Sequence, residues 1–390
     1  MCMLMPFVST NRWVISVMWR LPARILAPLR PTELATLPPT DRAPMHRPAR
    51  EREAKRSGRA KEMQGAKRSA AVEGARQMKF GVHLIQQNIE MAELRRLWTW
   101  ADTAGFDWID ASDHFYEAPL VHENHGDYWE GTTIMTALAC ETKNLRIGSL
   151  VLGMNYRHPA VLANALAAMD HLSGGRIELG IGAGWYEDEY RAYGIPFPSL
   201  GKRLDILEEG IQVIRLLFTE DHVNFEGEHF TLADACCNPK PLQERLRIWG
   251  GGVGRKRTLP MIARLCDGWN GPYLTPWQFR HLSRVLQEAC DREGRDFDEI
   301  EKSVNLSFHL AANEAARPRA EEHARTVFGG AIDTWRERGL IMGTPEEAKE
   351  LVAEYQDLGC DLLNIAIRPP LDWEALEAWA QEVIPAFSED

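Results

Sequence analysis

The chain has 390 residues, 45% hydrophobic and 26% charged, with a formal charge of −11. This is the make-up of a globular protein that buries one large core or two smaller ones, and an acidic balance argues against nucleic acid as its main partner. The seven cysteines (Cys2, Cys140, Cys236, Cys237, Cys266, Cys290 and Cys360) form no C-x-x-C pair and no zinc-like spacing, which points to reduced thiols, a cytoplasmic setting and no structural metal.

The charge is unevenly distributed. Residues 1–77 hold 15 Lys/Arg against 6 Asp/Glu, a formal +9, so the remainder carries −20. The head shows no sustained periodicity, is rich in Pro from Pro22 to Pro48, and buries too little apolar surface to offset its ordering entropy, so disorder is expected. Arg12, Arg20 and Arg24 interrupt its apolar patches, which excludes a membrane span. The favoured reading is a dispensable extension, with the protein proper starting at Met78; a targeting peptide and a basic arm stay open as alternatives.

From Lys79 onward short apolar runs alternate with amphipathic stretches. In chain order the spacing predicts strands at Lys79–Leu84, Trp108–Ser112, Arg146–Leu152, Ile177–Gly182, Leu246–Gly251, Gly268–Asn270, Ser303–Leu310 and Leu363–Ile367. Helices are predicted at Met91–Ala104, Thr132–Thr142, Ala160–Leu172, Lys202–Phe218, Lys256–Cys266, Trp277–Glu293, Pro345–Leu358 and Asp372–Val383. Gly105, Gly294 and Gly359 sit where helices should stop, and Thr344-Pro345-Glu346-Glu347 reads as a cap with an acidic first turn. Eight strand-then-helix units in the residues from Met78 to the end fit a closed (β/α)8 barrel, a TIM barrel, better than the alternative of a doubly wound sheet. Two stretches exceed the minimal unit: Thr219–Arg245, with a hairpin pattern from Val223 to Leu232, and Ala311–Gly343, expected to include helix.

Three segments carry candidate chemistry. The second strand ends in Ser112-Asp113-His114-Phe115, polar groups where barrels place catalysis, although a helix-capping Ser/Asp and a backbone-bonded His would read the same. The fourth ends in Gly182-Ala183-Gly184-Trp185, glycines that let backbone approach a flat ring or a phosphate, or simply pack tightly. The fifth runs Trp249-Gly250-Gly251-Gly252-Val253-Gly254 into a helix, beside Arg255, Lys256 and Arg257, which read equally as solvated surface; an anion-binding role for it comes only with the resemblance that follows.

Together with Arg157-His158-Pro159, Ser173-Gly174-Gly175-Arg176, Glu189-Tyr190, Gly194-Ile195, Phe197-Pro198 and Arg203, these segments resemble, in order, the luciferase-like monooxygenase superfamily, and within it the branch that uses the deazaflavin coenzyme F420. The resemblance implies a bulged third strand with a cis peptide at Leu150–Val151 behind the cofactor ring. It implies further that Gly182, Ala183, Gly184 and Trp185 line the ring, that Gly250, Gly251 and Gly252 receive the cofactor phosphate, that His114 exchanges a proton, and that Asp113 orients it. Relatives that oxidise glucose 6-phosphate have Glu at the position of Trp185 and Trp at that of Ala118; both departures argue against that sugar, and Trp185, Tyr186, Tyr156, Phe115 and Trp129 suggest a more apolar pocket. The expected activity is hydride transfer between F420 and a small organic substrate, with a homodimer as the usual state and neither membrane nor nucleic acid as partner. The alternatives are an FMN-dependent monooxygenase fed by a separate reductase, and a non-catalytic flavin-binding protein.

Overall fold

The computed structural model describes residues 77–116, 126–328 and 337–388. The basic head, apart from Gln77, and Ala118 lie outside the described residues. Contacts divide the chain into two units, Met1–Gly74 and Ala75–Asp390, and every described strand and helix belongs to the second.

The strands are β1 (Lys79–Leu84), β2 (Trp108–Ala111), β3 (Arg146–Ser149), β4 (Leu152–Gly153), β5 (Leu179–Gly182), β6 (Val223–Glu226), β7 (Thr231–Ala235), β8 (Ile248–Gly251), β9 (Gly268–Pro272), β10 (Glu301–Leu310), β11 (Leu340–Gly343) and β12 (Leu362–Ile367). Among these strands all pairings outside the β6–β7 hairpin are parallel. β1 pairs with both β2 and β12, while β4 pairs with β5 and Ile147 bridges Ile177, so the ring of barrel strands has no open edge. That closure excludes the doubly wound alternative, since an open sheet must leave two edges unpaired.

Each barrel strand is buried on both faces, and residue identity alternates accordingly. Phe80, Val82 and Leu84 of β1 join Ile109, Ile147, Leu179, Ile181, Ile248 and Leu363 in the shared apolar core. The inward positions are tryptophan, glycine and polar residues. Trp108 packs edge-on against Trp249, with ring centroids 5.5 Å apart. A Cβ on Gly148 would lie 1.9 Å from the Trp108 ring, so glycine there is what admits the indole. His83 bonds Asp110 at 2.5 Å, and Asn270 donates to Ser303 and Asn305 at 2.9 and 2.8 Å.

The helical expectations hold to within a few residues. The helix Pro276–Glu293 starts in a Thr275/Gln278 capping box and stops at Gly294, whose φ of +66° is left-handed. Thr344 N–H donates to Glu347 at 2.8 Å, the expected cap of the helix Pro345–Asp357. The last helix departs from expectation: it is α-helical over Trp373–Ala378, then widens into a π turn over Trp379–Val383.

Two further differences bear on the site. The third strand is not continuous but broken into β3 and β4 by Leu150–Val151, whose peptide is cis, as the resemblance implied. The long insertion holds the helix Arg317–Phe328 and also a strand that the pattern did not reveal, β11, which pairs with the upper half of β10 beyond the reach of β9. The hairpin formed as expected, with Cys237 buried and Cys236 exposed, both free thiols.

Candidate active site

The loops at the carboxyl ends of β2, β4, β5 and β8 converge on one mouth. At its floor the cis segment turns Val151 across the neighbouring strands. A Cβ on Gly182 would lie 2.7 Å from Val151 Cγ2, and one on Gly251 2.6 Å from Val151 Cγ1. The two glycines therefore let the valine lie flat over the ends of β5 and β8. Ser149 Oγ donates to Gly180 O at 2.7 Å and replaces the ladder where the strand breaks.

Behind Gly184 stands Tyr190. Gly184 has φ +74°, and a Cβ there would fall 2.0 Å from the Tyr190 hydroxyl, so the Gly182–Trp185 turn is shaped by two side chains, Val151 and Tyr190. Burial pushes the Tyr190 phenol up to about 12, so it stays protonated. Ala183 is tied down through its carbonyl, which accepts from Asn155 at 3.0 Å.

His114 follows β2, whose end is fixed by Gln86. The buried Gln86 amide donates to Ser112 O at 2.6 Å and accepts from Ser112 N–H at 3.1 Å, while the Ser112 hydroxyl donates to Leu84 O at 3.0 Å and meets Tyr128. The partner of His114 is Glu189, fully buried on the short helix Glu187–Ala192. His114 Nδ1 lies 2.9 Å from Glu189 Oε2; the same carboxylate accepts from the Tyr156 hydroxyl at 2.7 Å and from Phe115 N–H. The carboxylate thus engages the Nδ1 side of the ring, and Nε2 is the nitrogen on the opposite side.

Asp113, next to His114 in the chain, accepts its hydrogen bonds from two nitrogens of Arg157, at 2.7 and 2.9 Å, and from Gly153 N–H at 2.8 Å. Arg157 also bonds Glu130. Burial works against the guanidinium charge, but Asp113 and Glu130 more than offset it and raise its pKa; burial likewise opposes Glu130, whose bonds from Thr133, Thr132 and Arg157 hold it down to about 2. Asp113 is thus a clamp between β2 and the loop after β4. Glu189 was in view as part of the Glu189-Tyr190 motif, but nothing local connects it to a residue 75 positions away.

The glycine-rich end of β8 divides in function. A Cβ on Gly250 would lie 2.4 Å from Ile262 and 3.2 Å from Cys266, so glycine at this position lets the following helix pack on the strand. Gly251 faces Val151, and Gly252 has φ +134° with its carbonyl accepting from Trp269 at 2.8 Å. The helix that follows, Thr258–Leu265, has no side-chain cap. Arg257 is committed to Asp205 at 2.7 Å, while Arg255 and Lys256 are exposed beside the helix start.

Rings surround His114: Tyr128 and Trp185 at 5.6 Å and Tyr186 at 6.1 Å between centroids, all edge-on. Among the described residues no group of three or more His, Cys, Asp or Glu side chains could hold a metal, and no helix is long and apolar enough to cross a membrane.

The family model for luciferase-like monooxygenases matches residues 77–336. The F420-dependent glucose-6-phosphate dehydrogenase of Amycolatopsis mediterranei is 30% identical over 314 residues, 73% of this chain and 91% of that one. The enzyme of the same description from Gordonia bronchialis is 27% identical over 320 residues, covering 74% and 91%. In fold the chain is similar to an F420-dependent secondary alcohol dehydrogenase bound to an F420–acetone adduct, with TM-score 0.71, 20% identity and coverage of 80% and 100%. It is also similar to a long-chain alkane monooxygenase, with TM-score 0.68, 13% identity and coverage of 80% and 91%. The closed barrel and a family match running from β1 through β10 lead to one assignment: the chain belongs to the luciferase-like monooxygenase family of oxidoreductases.

Proposed function

We propose that this chain transfers a hydride between coenzyme F420 and a small organic substrate, with His114 as the proton carrier and Glu189 as its positioning residue. The observation that carries the reading is the buried Glu189 carboxylate 2.9 Å from His114 Nδ1, at the mouth where Val151 makes a flat floor. Relatives about 30% identical over most of their length are described as F420-dependent, which supports the choice of cofactor. The site fits such a group. Val151, Gly182 and Gly251 would back its ring, and the Gly251–Gly254 loop with the uncapped start of Thr258–Leu265 would hold its phosphate, with Arg255 and Lys256 adding charge.

When bound, the deazaflavin supplies the hydride donor or acceptor. The chain does the rest. Glu189 keeps the Nδ1 proton on His114, so that Nε2 takes a proton from an alcohol or, protonated, returns one to a carbonyl oxygen. Asp113 with Arg157 fixes the strand end that carries His114, and the aromatic rings around it exclude water. The catalytic body begins near Met78, and the homodimer expected from family membership is part of the same proposal.

A second reading, an FMN-dependent monooxygenase with a separate reductase, has support from the likeness in fold to the alkane monooxygenase, because a floor made by Val151 serves either ring system. Titration of the purified protein with F420 and FMN, followed by absorbance and fluorescence, separates the two. F420 binding in preference to FMN is expected; tight FMN binding with no affinity for F420 overturns the proposal. Unchanged turnover in His114→Ala would favour a non-catalytic flavin-binding role.

A further inference from the structure

The rings beside His114 continue outward. Trp185 stacks on Tyr186 at 5.3 Å with 25° between planes, Tyr186 meets Tyr116 edge-on at 5.7 Å, and Tyr116 lies over Tyr193 at 6.3 Å and 24°. Tyr193 in turn packs on Phe115 at 4.7 Å. Trp185 remains 41% exposed although its ring edge touches the histidine. An indole left open to solvent at the mouth of a site presents a ligand-facing surface rather than core.

Several charges near this wall are engaged elsewhere. Arg157 is held by Asp113 and Glu130. Arg203 donates to Pro198 O at 2.7 Å and lies 3.7 Å over the Phe197 ring. Glu187 and Asp188, which follow Tyr186 in the chain, pair with Arg191 at 2.8 and 3.5 Å. From Gly182 to Tyr186 the chain offers no charged group at all. A sugar phosphate needs cations and a dense set of acceptors; a flat apolar body needs ring faces.

We propose that Trp185, stacked on Tyr186, is the specificity-determining wall of the site, and that the substrate is a planar apolar carbonyl compound such as an aromatic aldehyde or aryl ketone, or the corresponding alcohol, and not a phosphorylated sugar. This rests on the proposed use of F420. In the reductive direction the carbonyl carbon gains a hydride from the reduced deazaflavin, the C=O π pair moves to oxygen, and that oxygen takes the proton from His114 Nε2. The deazaflavin is oxidised, its remaining hydrogen leaving as a proton that restores the imidazole through solvent. The product is the alcohol.

The test uses the full chain and begins with F420 binding to wild type, Trp185→Ala and Trp185→Phe by quenching of cofactor fluorescence. Turnover of reduced F420 is then measured with benzaldehyde and acetophenone, and of oxidised F420 with glucose 6-phosphate. The expected result is turnover of the aromatic carbonyl, a KM raised about 3- to 10-fold in Trp185→Ala with kcat changed less, and recovery in Trp185→Phe. Thermal melting like that of wild type shows that the variants are folded. Normal F420 binding with no aromatic turnover, with a KM indifferent to Trp185, or with glucose 6-phosphate preferred, overturns this inference alone. Failure of wild type to bind F420 overturns the hydride-transfer reading together with it.

Discussion

Two histidines stand at the carboxyl ends of the barrel strands, and their surroundings are opposites. His114, after β2, faces the buried Glu189 carboxylate, whose Oε2 lies 2.9 Å from its Nδ1. His309, near the end of β10, is 3% exposed and meets His323 of the helix Arg317–Phe328, Nδ1 to Nδ1, at 3.1 Å. Burial, His323 and Arg368 all push the His309 pKa well below its ordinary value, and burial lowers that of His323 as well. The same side chain thus has the proposed role of proton carrier on one side of the mouth and is a neutral packing element on the other. The partner decides, not the residue type.

The sharpest way to break that contrast is to remove each histidine in turn. His114→Ala should lower turnover by about 10²- to 10⁴-fold, whereas His309→Ala should leave it within a small factor of wild type. Equal losses, measured in steady state with saturating cofactor, would mean that the carboxylate does not single out His114. Next in size is the floor between the two. Gly251→Val places atoms against Val151, whose Cγ1 lies 2.6 Å from the new Cβ, and should weaken cofactor binding by about 10-fold or more, at a cost near 1–3 kcal/mol. Gly251→Val with Val151→Ala should recover part of that affinity; no recovery by titration would show that the valine is not what the glycine accommodates.

Glu189→Gln probes the dyad itself. It removes the charge but keeps the shape, and should lower kcat about 10-fold and shift the pH profile of kcat/KM, with cofactor affinity unchanged. A profile identical to wild type would reduce Glu189 to a packing role. The smallest effect belongs to the other wall. The unfolded chain takes up protons on His309 and His323 near their ordinary value of 6.5, while the folded state resists, so the stability tied to the neutral pair is present above that pH and is lost as pH falls through it. Arg368 and His323 oppose protonation of His309, and Asp372 favours it on His323. Amide exchange in Arg317–Phe328 should therefore quicken severalfold between about pH 7 and about pH 5 relative to Pro276–Glu293. Parallel behaviour of the two helices would refute the assignment.

Much of the fold is legible in the sequence. Alternation of short apolar runs with amphipathic stretches is a local property, so the eight barrel strands and most helices can be placed from spacing alone. The strand β11 cannot, because Leu340–Gly343 is short and its identity as a strand comes only from pairing with β10. Of the candidate site, His114, Trp185, Gly182 and Gly251 lie at the mouth, while the bond from Arg157 to Asp113 and the packing of a helix on Gly250 were not legible in the sequence.

The amino-acid order by itself determined the (β/α)8 period, the helix stops and the family motifs, since each depends on residues within a turn or a strand of one another. Only the closed barrel decided which acid serves His114, why glycine stands at 182 and 251, and which histidine is kept neutral. Those depend on side chains brought together from distant strand ends, where burial makes every charge answer to its nearest partner.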